Sequence, residues 1–165
     1  MATVPDEIRI PDVVGEIVGW RAWDAVGTER CPRLQSVNGN LFPDDSAGSI
    51  WPTGRWFYAR CPHGHTSDIP VEGCSCGLYA AAALDQLLEL GYGSYGDLTD
   101  KVIGQVAFAG KVIPGTQGWK AERGRVLHLV VPFEKVWLGK ALAGAYNVPL
   151  ALGRWIGGGL RIIEC

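Results

Sequence analysis

From Cys61 to Cys76 the chain reads CPHGHTSDIPVEGCSC, which places three cysteines and two histidines in one short span. Pro62, Gly64, Pro70 and Gly73 deny this span a continuous helix or strand. It is also poor in apolar side chains, so burial alone does not fix its shape. A bound metal ion would. Zinc takes four ligands in a tetrahedron, from thiolate sulfur and imidazole nitrogen. Cys61 and His65 lie four apart on a segment that Pro62 and Gly64 let curl. Cys74 and Cys76 lie between Gly73 and Gly77, which allow a tight bend around a small ion. The expected ligands are Cys61, His65, Cys74 and Cys76, with His63 as the substitute for His65. Sulfur ligands favour zinc over magnesium or calcium. Two alternatives stand beside this reading. The thiols can be idle or buried as small hydrophobes, or Cys31 can join them around an iron–sulfur cluster. Cys165 reads as a free thiol.

The cysteine argument depends on compartment. The N-terminal MATVPDEIRIPD is acidic and has no apolar leader core, and no apolar run approaches the ~18 residues of a membrane span. The expectation is a cytoplasmic chain without a membrane segment, where cysteines serve metals or remain free rather than forming disulfides. A length of 165 residues fits one domain, with residues 1–12 as a loose arm. Hydrophobic residues at 47% argue against disorder, and 23 glycines argue for strands and turns over a helical bundle.

Periodicity divides the rest. VVGEIVGWRAW (Val13–Trp23) alternates and reads as a strand; RLQSV reads as a short one, with Asn38-Gly39 able to close a hairpin. Trp51, Trp56, Phe57 and Tyr58 are expected to roof the core beside the cysteine cluster. GLYAAAALDQLLELG is rich in Ala and Leu and predicts a helix from Gly77 to about Leu90. That helix would put Cys74 and Cys76 at its positive end, where thiolates are favoured. KVIGQVAFAGKVI (Lys101–Ile113) and WKAERGRVLHLVV then form an antiparallel hairpin around PGTQG, bent at Gly124, in a region spanning 101–131. Pro132 opens a second helix that NVPL ends, and the tail from Ala151 alternates but is Gly-rich. The fold class is α+β: a small, twisted, largely antiparallel sheet or partial β-barrel with two helices, stapled by a metal site, with residues 61–90 as the metal knuckle plus the first helix.

The blocks GWRAW, ARC…H…P…CSCGLYA, VIGQVAFAGKVI…GWKAERGRV and YNVP resemble a family of small proteins of actinobacteria and their phages. The C-x(3)-H…C-x-C-G-x-Y-A pattern is the most distinctive of them. The resemblance implies a cytoplasmic protein and supports Cys61, His65, Cys74 and Cys76 as a unit. It brings no activity with it.

Function reduces to three classes. No G-x-S-x-G, phosphate-binding loop or dinucleotide fingerprint is present. The first class is therefore a non-enzymatic, zinc-stapled module that binds a protein partner, host-directed if the phage resemblance holds. A homo-oligomer is the second kind of partner considered. The second class is nucleic-acid binding. Six Lys/Arg against 14 Asp/Glu leave residues 1–100 at −8, and nine against three leave residues 101–165 at +6. Lys111, Trp119, Lys120, Arg123 and Arg125 interleave charge with an aromatic in the basic half, although Glu122 interrupts them. The third class is a thiol or zinc enzyme using Cys74 or Cys76 with His65 or His128 as base. Asp68 and Glu72 read more simply as loop charges, and His128 as a core histidine.

Overall fold

The computed structural model describes residues 16–37, 49–92, 101–156 and 159–163. The expected arm at residues 1–12 and the Asn38-Gly39 turn lie outside them. The described residues form an α+β fold, a mixed sheet of eight strands with two helices. Strands β1 (Ile17–Thr28) and β2 (Cys31–Ser36) form a hairpin. β3 (Phe57–Tyr58) and β4 (Leu78–Ala81) follow, then a one-turn helix α1 (Leu84–Leu87) that continues as a π-helical turn, Leu88–Tyr92. The long strands β5 (Lys101–Pro114) and β6 (Gly118–Pro132) come next, then helix α2 (Val136–Tyr146) and the hairpin β7 (Leu150–Ile156) and β8 (Gly159–Ile163).

The centre of the sheet is β1–β5–β6. β5 pairs β1 from Asp24–Lys101 to Ile17–Phe108, and it pairs β6 along nearly its whole length. β4 pairs four residues of β6 and touches β1 through one bridge, Trp20 with Ala81. The pairings β1–β5–β6–β4 thus return to β1 through that bridge alone. The inward side chains of β5 are those its alternation predicts: Val102, Val106, Phe108 and Val112 are all buried. Trp23 meets Trp51 edge to face at 5.5 Å and 85°, and Phe57 lies 5.0 Å from Trp51. Of the expected aromatic roof, Trp51 is buried and Phe57 packs on the core, whereas Tyr58 is 55% exposed.

Helix α2 ends where the sequence suggests. Asn147 takes the left-handed conformation that stops it, at φ 53° and ψ 52°. Its last residue joins the two halves of the core. The buried Tyr146 hydroxyl donates to the Trp51 carbonyl at 2.7 Å and accepts from the Leu34 amide at 2.9 Å. Tyr146→Phe strands both backbone groups in the interior, so a loss of about 1–3 kcal/mol is expected. Urea unfolding checks it: the midpoint should fall while the slope stays constant.

Two expectations need correction. The first half of the predicted helix is strand β4. Leu78 and Ala80 pack into the main core, while the alternate positions turn the other way: Tyr79 is exposed and Ala81 packs with Leu87 and Ile103 in a second cluster, the alternation of a strand. The sheet is largely antiparallel, as expected; its one parallel pair among the described strands is β6 with β7, joined through α2 as a crossover unit. The long hairpin is irregular at two places, between Gln105 and Val106 and between Ala109 and Val112, and not at Gly124. Gly110 adopts φ +74° and forms a bulge with Lys111 opposite Glu122, whose carboxylate accepts from the Lys111 amide at 2.9 Å. Gly124 stays in register; a Cβ there would meet Phe108 at 2.9 Å and Trp51 at 3.3 Å.

Candidate metal centre

The loop between β3 and β4 brings Cys61, His65, Cys74 and Cys76 together. Their ligand atoms all lie within 4.8 Å of one another. The Cys61 Sγ is 3.6 Å from the Cys74 Sγ and 3.1 Å from the His65 Nδ1. A tetrahedron around zinc, with sulfur at ~2.3 Å, has edges of about 3.8 Å between sulfurs and slightly less to nitrogen. The observed separations therefore suit a single ion of that size, and this group could hold one. It is the set that the ligand spacing predicts.

Local backbone explains how so irregular a segment converges. Gly77 sits at φ +119°, where L side chains are strained, and a Cβ there would meet the Pro70 side chain at 2.9 Å and the Lys120 side chain at 3.2 Å. Only a glycine lets the chain leave Cys76 directly into β4 at this closeness. The Cys74 amide donates to the Val71 carbonyl at 3.1 Å and closes the turn before the second lobe. Amides also reach the sulfurs, from His63 to Cys61 at 3.4 Å and from Val71 to Cys76 at 3.2 Å. His63 is not in the cluster. Its Nε2 lies 3.1 Å from the Ser75 hydroxyl, which ties the two lobes together outside the ligand sphere.

The thiols differ in charge preference. Burial pushes the Cys61 thiol up, but the amides of His65 and His63 and the side chains of His65 and Cys74 outweigh it and bring it down to about 6. Burial raises the Cys76 thiol, and the neighbouring cysteine sulfurs add to that. A divalent ion reverses this preference, because a coordinated thiol is deprotonated. The source of thiolate stabilisation is not the one that the sequence suggests. No helix begins at Cys76; the chain enters β4 instead.

Two lysines that sequence reasoning assigned elsewhere hold the loop to the sheet. Lys120 donates to the carbonyls of Cys74 at 2.6 Å and Val71 at 3.1 Å. Lys111 donates to the Asp68 carbonyl and lies 3.1 Å from its carboxylate. Three thiolates and one imidazole around a divalent ion carry one net negative charge, and the Lys120 ammonium is placed to offset it. Nothing in the sequence marks these contacts, since they require the pairing of Tyr79 with Lys120.

The other candidate residues fall into separate groups. Arg123 and Arg125 each place a guanidinium 5.4 Å from the Trp56 ring centre, and Arg125 also pairs with Glu16 at 2.7 Å. Trp119 is half-buried against the core. Lys120 and Arg123, three apart on one strand, point to opposite faces. His128 lies eight residues along β6 from Lys120, roughly 25 Å at strand rise, and burial lowers its pKa. Asp68 is tied to Lys111, and Glu72 is exposed. No helix among the described residues is long and apolar enough to cross a membrane.

Comparisons with protein-family models, with curated proteins and with solved structures find no match to this chain.

Proposed function

We propose that the chain is a non-enzymatic, zinc-stapled module that binds a protein partner. The observation that carries the reading is the convergence of three thiols and one imidazole, a set that fills a tetrahedron and leaves no position for substrate or water. Sulfur-rich ligation favours zinc over the hard cations. The groups a reaction would need are otherwise engaged or distant: His63 bonds Ser75, Asp68 bonds Lys111, and His128 is far along β6. Zinc in this setting holds a loop to a sheet. A binding role is supported by large apolar side chains left in solvent. Phe133, in the 3-10 turn just before α2, and Trp137, in the first turn of α2, are 49% and 54% exposed, and aromatic side chains are enriched in protein interfaces.

Elemental analysis and affinity capture test the two halves together. The expected result is about one zinc per chain, with a partner captured by wild type and lost with Trp137→Asp. A metal-free wild-type protein, or capture indifferent to Trp137, would overturn the reading.

A further inference from the structure

The four candidate ligands of the metal loop are not equivalent. Cys61 and Cys74 are partly exposed, His65 is exposed and Cys76 is buried. The backbone explains the difference. Cys76 leads through Gly77 into β4, its sulfur accepts the Val71 amide at 3.2 Å, and Gly77 is closed in by Pro70 and Lys120. Cys61 and Cys74 lie instead in the irregular loop between β3 and β4, thirteen residues apart in sequence.

The sulfurs of Cys61 and Cys74 are 3.6 Å apart. A disulfide needs about 2.05 Å, so roughly 1.5 Å of sulfur movement closes the gap. The stretch between them can give, because residues 63–68 are all exposed. The other pairings are less open. Cys74 and Cys76 have one residue between them, so a link there must close a small ring. Any link to Cys76 must also draw a buried sulfur away from the Val71 amide. Cys31 is exposed at the start of β2 and is not one of the clustered thiols.

We propose that Cys61 and Cys74 form a reversible disulfide when a peroxide oxidises them, and that closing it empties the metal site. The second half rests on the zinc reading above; the pairing of the two sulfurs does not. The chemistry balances within the pair. One thiolate attacks the peroxide: an S–O bond forms, the O–O bond breaks and hydroxide leaves. The other thiolate attacks the resulting sulfenic sulfur: the S–S bond forms, the S–O bond breaks and a second hydroxide leaves. The two sulfurs give up two electrons and the peroxide takes them. A disulfide sulfur is no longer a thiolate ligand. Only Cys76 and His65 then remain to the ion, which leaves. The new bond still ties Cys61 to Cys74, so the loop stays closed without the metal.

The test treats the full chain, purified under reducing conditions, with hydrogen peroxide. A chromogenic chelator follows zinc release, and mass spectrometry of unreduced peptides identifies the linked cysteines. The expected result is about one zinc released for each Cys61–Cys74 link, with both changes undone by a dithiol and added zinc. Cys31→Ser should behave as wild type. Zinc release without that link, or a link that contains Cys76 or Cys31 instead, overturns the proposal. So does a chain that keeps its zinc after the link has formed. The two readings fail separately. A Cys61–Cys74 link in protein that purifies without zinc would sink the zinc assignment and leave the disulfide pair. Zinc-loaded protein that never forms the link would sink the pair and leave the zinc.

Discussion

On the zinc-staple reading proposed above, replacing Cys76 by serine should abolish metal binding and produce a large fall in melting temperature. Cys76 is the most buried of the four ligands, at 2% exposure, and its sulfur also accepts the Val71 amide. A serine hydroxyl is a harder and far less acidic ligand than a thiol, so the site loses a donor at its deepest point. In zinc-dependent domains the metal contributes on the order of 10 kcal/mol. Here β1, β5 and β6 carry an apolar core of their own, apart from the loop, so a smaller loss of about 3–5 kcal/mol is expected, felt first by the loop and by β4. For a domain of this size each kcal/mol moves the melting temperature by about 2–4 °C, which puts the fall at roughly 6–20 °C. His65→Ala should do less, because His65 lies at the exposed edge of the cluster. Elemental analysis beside calorimetry reads both effects. Unchanged melting in zinc-free Cys76→Ser would mean that the metal does not support the fold.

The candidate ligand set was legible because coordination constrains spacing directly. Cys61 with His65, and Cys74 with Cys76, are close in sequence, and glycines at 64, 73 and 77 announce sharp turns between and after them. The long strands β5 and β6 were legible for a similar reason, since each carries its own alternation over a dozen residues. β4 was not. Its Leu-Tyr-Ala-Ala has the composition of a helix, but these alanines are small for a tertiary reason. Ala80 lies so close to β1 that a Cβ on Gly19 would meet its own at 2.7 Å. Helix propensity is a weak prior against such packing. The parallel strand β7 was hidden differently. Gly153 interrupts its pattern and the glycines at 157, 158 and 159 follow directly after it, and only the order strand, helix, strand hints at a crossover. The lysine latches were invisible, because a strand places a side chain on a face without saying what sits opposite.

The same close approach makes Gly118→Ala the second large effect. Gly118 pairs with Ala81 at the crossing of β4 and β6. A Cβ on it would overlap the Ala80 carbonyl oxygen and lie 2.8 Å from the Ala81 Cα. Both neighbours are backbone, so no rotamer change relieves the clash, and β4 must move. Moving β4 breaks its four pairs with β6 and separates Tyr79 from Lys120, which also holds the metal loop. A loss of about 3–5 kcal/mol is expected, at the upper end for a single substitution, with weaker zinc retention as its second sign. Gly144→Ala is the contrasting case. Gly144 lies inside α2, is exposed, and has nothing within 4 Å of a new Cβ. There the methyl only restricts the unfolded chain and favours the helix, so a gain of up to about 1 kcal/mol is expected. Chemical denaturation of the two variants should therefore shift in opposite directions. If Gly118→Ala proves as mild as Gly144→Ala is favourable, β4 does not lie against β6 as described. The Lys120 hold on the metal loop would then have to be placed elsewhere.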